Sequence, residues 1–253
     1  MHMKSFTLAL MGCAAASFSY ADSPITLAQG ELTGSAALYS KYIYRGGVEN
    51  DDLTLQFGLD YAHQSGVFLG YWGSTLDYNP SREDKNSGFE HDFYIGYGRD
   101  INEDWRYSSQ LVAYVYQNSN KVRAENGESK STTAYELINN VEYKDLSLGL
   151  AVMLADASFA NAGDLYVSAG YSYPLPQDYS LNAAVGASLY NDRRDNAVVE
   201  TSKDFVLSEA KLGVSKTLAD TGLTAAFDYI WGGQSRLGEN FDDHAVISLS
   251  YNF

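Results

Sequence analysis

The chain has 253 residues and a formal net charge of −15, with 32 acidic against 17 basic side chains. This acidity excludes a nucleic-acid partner, because binding to phosphates requires a basic surface. The mean hydropathy of −0.27 fits a soluble domain, but it fits a transmembrane β-barrel equally well, since only alternate residues of such a barrel face lipid.

The first 21 residues have the features of a secretory signal peptide. One positive charge, Lys4, precedes an apolar run from Phe6 to Phe18, and Ser19-Tyr20-Ala21 supplies the small residues that signal peptidase requires. We expect cleavage after Ala21 rather than at the lipoprotein-like box that ends at Cys13. Because Cys13 is the only cysteine, the mature chain would contain neither a disulfide nor a thiol nucleophile.

A short, irregular periplasmic lead is expected at residues 22–33, followed by the barrel at residues 34–253. This second part contains twelve stretches in which apolar and polar residues alternate, as in strands with one apolar face. In the third stretch, we place Phe68, Trp72 and Leu76 on one side. Each stretch is about as long as a tilted strand that crosses the hydrocarbon layer.

The links between the stretches alternate between long and short. The long, polar links are 46–52, 79–87, 117–132, 155–163, 191–203 and 232–242. Outer-membrane barrels have this asymmetry, with short turns on the periplasmic rim and long loops outside. An even number of strands lets the first strand pair with the last and removes the exposed edge. The sequence therefore predicts an all-β, transmembrane, antiparallel up-and-down barrel of about 12 strands.

Aromatic residues cluster at both ends of the stretches, as in the two aromatic girdles of a membrane barrel. The short-turn group is Tyr61, Tyr97, Trp105, Tyr107, Tyr143, Tyr171, Tyr173, Tyr179, Tyr251 and Phe253. The long-loop group is Tyr42, Tyr44, Tyr78, Tyr135, Tyr229 and Trp231.

The last stretch, His244 to Phe253, alternates regularly and stops on an aromatic residue. It resembles the C-terminal signature of bacterial outer-membrane barrels, which the barrel-assembly machinery reads. The resemblance implies that Tyr251 and Phe253 form an assembly signal, and that the protein lies in the outer membrane of a Gram-negative bacterium.

Several short motifs resemble the TorF-type porins, a family long catalogued only as conserved bacterial proteins of unknown function. They are Tyr39-Ser-Lys-Tyr-Ile-Tyr-Arg-Gly-Gly47, Phe57-Gly-Leu-Asp-Tyr-Ala-His63, Trp72-Gly-Ser74, Tyr135-Glu-Leu137 and Gly170-Tyr-Ser-Tyr-Pro-Leu-Pro176. The likeness runs along most of the mature chain. It implies an outer-membrane barrel with a porin role and carries over no catalytic residues.

The first functional hypothesis is a channel for the passive diffusion of small solutes. Ionisable residues on the polar faces imply a wet or tightly paired interior, because charges in a dry interior are costly. The predicted pore-lining residues are Lys41, Arg45, Asp60, Asp77, Glu90, Asp92, Arg106, Glu136, Glu142, Glu209, Lys211 and Asp228. Acids outnumber bases in this set, so the channel should mildly prefer cations.

Two other hypotheses remain. The spacing of His63 and Ser65 matches the His-x-Ser pair of outer-membrane lipases, in which imidazole activates the hydroxyl, but we expect it in a periplasmic turn. A non-conducting recognition barrel could use charged loop runs at residues 82–85, 121–125 and 192–195 to bind lipopolysaccharide. A constriction by the longest link, residues 117–132, is not readable from the sequence. No metal-ligand cluster, phosphate loop or nucleotide fingerprint is found, so no cofactor is predicted.

Overall fold

The computed structural model of the chain describes residues 25–80, 82, 86–117, 121–123, 129–191, 199–219 and 221–253. The predicted signal peptide, residues 1–21, lies outside these residues. Within them, no helix is long and apolar enough to span a bilayer.

The described residues form strands joined by turns and loops, with one 3-10 turn at Pro176–Asp178. In chain order the strands are β1 (Ile25–Leu27), β2 (Gly30–Tyr39), β3 (Tyr42–Tyr44), β4 (Gly47–Asn50), β5 (Thr54–His63), β6 (Val67–Leu76), β7 (Gly88–Asp100), β8 (Trp105–Tyr116), β9 (Lys121–Arg123), β10 (Ser129–Ser131), β11 (Ala134–Tyr143), β12 (Leu146–Met153), β13 (Leu165–Leu175), β14 (Tyr179–Leu189), β15 (Phe205–Leu218), β16 (Leu223–Gly232) and β17 (His244–Asn252).

Twelve of these strands, β2, β5–β8 and β11–β17, form a closed antiparallel barrel. Each pairs with its neighbour along the chain, and β2 pairs with β5 on one side and β17 on the other. Closure gives each of these strands two hydrogen-bonded neighbours in the barrel, as a sheet in hydrocarbon requires. The predicted all-β barrel of about 12 strands is therefore confirmed, as is the alternation of tight turns with long links.

The structure differs from the predicted irregular lead at residues 22–33. β2 begins at Gly30 rather than near residue 34, and β1 pairs with it from Ile25↔Leu32 to Leu27↔Gly30. Ala28 and Gln29 join the two strands with positive φ angles of 43° and 64°, the conformation of a two-residue hairpin turn. The described part of the lead is thus part of the sheet.

Apolar side chains form the outer surface of the barrel. Leu59, Ile95, Leu148, Leu212 and Ile247 are all exposed there, and this apolar belt is the surface that a transmembrane barrel presents to lipid. The short-turn group of aromatic residues also lies at its predicted rim, where Tyr97, Trp105 and Tyr173 are examples of exposed members.

The third predicted stretch is reversed relative to this pattern. In β6, Phe68 and Leu76 are buried inside the barrel and Trp72 packs with them, whereas Val67 and Leu69 are exposed. Both faces of this strand carry large apolar residues, so alternation alone did not distinguish them. Val206 in β15 also turns inward, because a bulge opposite Gly186 and Ala187 shifts the register.

A small hairpin, β3–β4, separates β2 from β5. The sequence pattern predicted one strand that continued through Tyr44, with Tyr42 and Tyr44 in the outer girdle. Instead β2 ends at Tyr39, and Tyr42 is only 6% exposed inside the barrel, where it meets the Trp72 ring edge-on at 5.6 Å. Tyr42 and Tyr44 therefore belong to the interior.

Candidate pore and its inward hairpin

The β3–β4 hairpin is shaped by its tight turn. Arg45 and Gly46 take positive φ angles of 52° and 86°, which fits the two-residue turn that matches the twist of paired strands. At the open end, an ion pair joins Lys41 to Asp51, and the side-chain Nδ2 of Asn50 donates to the Thr75 carbonyl oxygen at 2.9 Å. These contacts fix the base of the hairpin to the wall, and the tip extends into the barrel.

The tip reaches across the barrel interior. Ile43 is buried against Ile230 of β16 and Val246 of β17. A side chain at Gly46 would collide with the carbonyl oxygen of Ser208 in β15, so only glycine allows the backbone to come this close to β15. The first long link is therefore a segment that narrows the described lumen, and the link at residues 117–132 lies partly outside the described residues.

Arg45 makes the central contact of this hairpin. Its Nη1 and Nη2 donate to Oε1 and Oε2 of Glu136, each at 2.9 Å. The Tyr114 hydroxyl donates to Glu136 Oε2 at 2.7 Å, and the Arg45 Cζ lies 4.8 Å and 4.4 Å from the ring centroids of Tyr44 and Tyr166. Glu136 is 1% exposed. A two-pronged, hydrogen-bonded geometry of this kind helps to offset the desolvation cost of a buried ion pair.

Glu209 is fixed by a tyrosine that crosses the wall. Tyr166 of β13 donates its hydroxyl to Glu209 Oε1 of β15 at 2.7 Å, and it passes over Gly186 of the intervening β14. A side chain at Gly186 would collide with the Tyr166 hydroxyl. Tyr94 similarly crosses Gly70 to donate to Asp60. In both cases, glycine provides the groove in which the ring lies.

Two further acids lie beneath the hairpin. Glu90 and Asp92 of β7 are 4% and 5% exposed, and Tyr42 and Tyr116 are hydrogen-bonded to Glu90. One carboxylate oxygen of each acid, Glu90 Oε2 and Asp92 Oδ1, has no hydrogen-bond partner within the part of the chain that the structure describes. The interior around the hairpin is therefore strongly acidic.

Nearer the short-turn rim the charges form pairs. Arg106 of β8 donates to Asp100 at 2.8 Å and to Glu142 of β11 at 3.2 Å. Lys211 of β15 and Asp228 of β16 are both buried in the wall. Ionisable side chains thus follow the interior from one rim to the other.

Lys41 and Asp77 lie at the long-loop rim rather than deep in the lumen. Lys41 is paired with Asp51, and the Asp51 amide donates to Asp77 Oδ2 at 2.9 Å. The hydrogen bond and the charge of Lys41 lower the pKa of Asp51. Beside them, Tyr78 donates to Glu49 at 2.5 Å. Burial raises the pKa of Glu49, and the Tyr78 hydrogen bond opposes part of that rise.

The long loops on the other side of the mouth are joined by Arg236. Its Nη1 donates to Asp164 Oδ2 at 3.1 Å, and its Nη2 donates to the Thr201 hydroxyl at 2.8 Å. Asp164 also accepts from the backbone amides of Asn161 and Asn191. No local pattern in the sequence predicts this cluster, because its members are far apart in the chain and belong to no motif.

The remaining residues that the sequence pointed to are the His63–Ser65 pair and the C-terminal aromatic residues Tyr251 and Phe253. His63 Nδ1 is 2.8 Å from Ser65 Oγ, in an exposed turn at the short-turn rim, and it also accepts from the Ser65 amide. The described contacts of this pair are those of a turn. Tyr251 and Phe253 are exposed on the outer face and stacked at 5.7 Å, and the Phe253 backbone pairs with Gly34 of β2.

The charged loop runs of the recognition hypothesis lie mostly outside the described residues, which omit 83–85, 124–128 and 192–198. Over the residues that are described, no group of three or more His, Cys, Asp or Glu side chains is placed to hold a metal ion.

A closed barrel with an apolar belt, two rims of unequal loops and charged inner walls has the architecture of an outer-membrane β-barrel. This class agrees with the predicted outer-membrane localisation. The chain belongs to the Gcw_chp family, described as a bacterial protein of unknown function, whose sequence profile matches residues 19–238. No curated protein matches the chain.

Two solved structures share the fold at very low sequence identity. One is the KdgM porin, with a TM-score of 0.51, 8% identity, and coverage of 87% of this chain and 99% of that chain. The other is from work on the in-meso crystallization of membrane proteins, with a TM-score of 0.52, 9% identity, and coverage of 88% and 83%. The first is described as a porin, and at this identity the likeness shows the fold alone.

Proposed function

We propose that the protein is a porin-like channel for the passive diffusion of small solutes, with an acidic lumen that mildly prefers cations. The observation that carries the proposal is the row of ionisable side chains along the interior, from Glu90 and Glu136 near the long loops to Arg106 and Glu142 near the short turns. A sealed barrel has little reason to keep so many charges away from bulk water, because each one costs desolvation free energy.

Several partners belong to the same proposal. Its outer belt would contact membrane lipid and lipopolysaccharide, and its last strand would be read by the barrel-assembly machinery through Tyr251 and Phe253. The likeness to TorF-type porins supports this function as a resemblance of short motifs.

The inward hairpin would set the conductance. Arg45 occupies the lumen and neutralises Glu136, so removing its side chain would widen the path and expose one more acid. In planar bilayers we expect wild-type channels to conduct in small steps. We expect Arg45→Ala to raise the single-channel conductance at least about twofold, since pore radius and lining charge both control permeation.

Lys41→Ala provides the matched control, because it also removes a positive charge from the segment between β2 and β5 but at a half-buried rim position beside Asp51. Its conductance should stay close to the wild-type value. In a potassium chloride gradient, the reversal potential of the wild-type channel should shift from zero towards the potassium equilibrium potential, because the channel prefers cations. An anion-selective current, or an equal effect of both substitutions, would contradict the proposal.

A non-conducting recognition barrel is the second candidate. It is favoured by one observation, the dense packing of the hairpin tip against Ile230, Val246 and Ser208. If neither the wild type nor Arg45→Ala produces current steps after verified insertion, this candidate replaces the channel.

A further inference from the structure

The contacts of Arg45 resemble those of a bound ligand more than those of a wall residue. Arg45 belongs to the hairpin, whereas Glu136, Tyr114 and Tyr166 project from three different barrel strands, β11, β8 and β13. We call these three wall residues the Glu136 cage. The guanidinium group of Arg45 lies in this cage, although Arg45 is at the tip of the hairpin and is distant in sequence from the three wall residues.

The cage is held in place without the help of Arg45. Tyr114 donates its hydroxyl to Glu136, and the hydroxyl of Tyr166 is fixed on Glu209 across Gly186. Both tyrosines and Glu136 are at least nine-tenths buried. A binding site of this kind is preorganised, because its members keep their positions through bonds to the wall.

The chemistry of the cage is specific for a planar cation. The two Glu136 oxygens face the two Nη atoms at 2.9 Å each, and the Tyr166 ring lies against the Arg45 Cζ at 4.4 Å. A guanidinium group satisfies both contacts at once, because it is flat and presents parallel donors, whereas an ammonium ion is a compact point charge. Among the described residues, the buried Nε of Arg45 has no hydrogen-bond partner, so the described contacts use only the end that every alkylguanidine presents.

We propose that the Glu136 cage is a binding site for guanidinium-bearing solutes, which the protein's own Arg45 occupies in the resting state. A solute of this class would compete with Arg45, release the tip of the hairpin and widen the lumen. This opening step rests on the proposed channel function, but binding to the cage does not.

Arg45 has an advantage over any free solute, because it is attached to the same chain as the Glu136 cage. A group held on the same chain acts at an effective concentration in the millimolar range or above, so free guanidinium compounds should bind weakly to the wild type. Removing the Arg45 side chain leaves the buried Glu136 carboxylate without its cation. The variant should therefore accept a small guanidinium ion in its place.

The binding test uses purified barrels in detergent micelles, with methylguanidinium as the probe at about 10 mM. This value lies in the range of the effective concentration of the Arg45 side chain that the probe replaces. Sodium and methylammonium chloride at the same ionic strength serve as reference salts. We expect methylguanidinium to raise the thermal unfolding midpoint of Arg45→Ala by several degrees and that of the wild type much less. Arg45→Ala/Glu136→Gln should lose the response, and Arg45→Ala/Glu142→Gln should keep it, because Glu142 pairs with Arg106 elsewhere in the lumen.

Equal shifts with methylammonium, or an unchanged response after Glu136→Gln, would overturn the site. A folded Arg45→Ala barrel that does not respond at all would do so too. If Arg45→Ala fails to assemble, Arg45→Lys replaces it, since lysine keeps the charge but cannot form the two-pronged contact. Because these measurements need no current, a barrel that binds methylguanidinium without conducting would refute the channel and leave the cage intact.

Discussion

At the scale of single residues, long side chains reach across glycines to bond with acids on other strands. Tyr166 crosses Gly186 to reach Glu209, and Tyr94 crosses Gly70 to reach Asp60. Each crossing spans an intervening strand, so the tyrosine ring fills interior volume while its hydroxyl donates to an inward-facing carboxylate. The many Tyr and Gly residues of the sequence therefore serve the interior as well as the girdles.

Gly186→Ala tests this crossing. The added methyl group would meet the Tyr166 hydroxyl and ring, so we expect a loss of about 1–3 kcal/mol in the free energy of unfolding, as for overpacked cores. In a Tyr166→Ala background the same change should cost almost nothing. Urea unfolding of the barrel in lipid vesicles measures both values.

Gly170→Ala is the control for that experiment, because its added methyl group would meet only the Ser147 hydroxyl and, at ordinary contact distance, a carbonyl oxygen. Serine can rotate away at little cost. Equal losses at Gly186 in both backgrounds would mean that Tyr166 is not the group that requires glycine there.

At the scale of elements, the sequence predicted the barrel strands well and missed the hairpin. Alternation continues through Tyr42 and Tyr44, so it could not reveal that the chain leaves the wall at Ser40. The missed signal is Arg45-Gly46-Gly47, because glycine pairs between short apolar runs indicate a tight hairpin turn. Alternation also could not name Tyr114 and Tyr166 as partners of Arg45, since pairing across a lumen depends on curvature that no local pattern encodes.

Arg236 joins three long loops, and its removal should loosen them. In Arg236→Ala, the buried Asp164 loses its charged partner, and the Thr201 contact is lost as well. We expect proteinase K to cut the loops of intact proteoliposomes at least about tenfold faster, which corresponds to an opening free energy lowered by ~1.4 kcal/mol. Mass spectrometry of the fragments locates the cuts.

Lys203→Ala removes a positive charge from the same loops, but it keeps the backbone bond from the Lys203 amide to the Arg236 carbonyl. Cleavage of this variant should match the wild type. If both variants are cut at the wild-type rate, Arg236 does not hold the loops together.

At the scale of the whole molecule, the closed barrel followed from two regularities of the sequence. Period-two alternation gave the strands, and the alternation of long and short links gave their up-and-down order. The inside and the outside were harder to assign where both faces of a strand are apolar, as at Phe68 and Leu69, or where a bulge resets the register, as at Val206. Such positions depend on how the interior is filled.

The lipid-facing belt predicts that arginine substitution has different effects on stability at two equally exposed residues. Val185, midway along β14, and Leu237, in the last long loop, are each 43% exposed. In lipid vesicles, Val185→Arg should cost about 2–4 kcal/mol of unfolding free energy, as at the middle of a bilayer. Leu237→Arg should be nearly neutral, within about 0.5 kcal/mol, as an ordinary surface change. Equal effects would mean that the belt does not contact hydrocarbon.

The pairing of β17 with β2 differs from the other strand pairs of the barrel, because β1 also pairs with β2 there. Backbone hydrogen bonds join β17 to the β2 segment only from Ile247 with Ser40 to Phe253 with Gly34, and β1 pairs with the rest of that edge, whereas β13 and β14 pair along their full lengths. With fewer hydrogen bonds to break, this seam should be the first to unzip under force, so a molecule pulled apart by its two ends should open there.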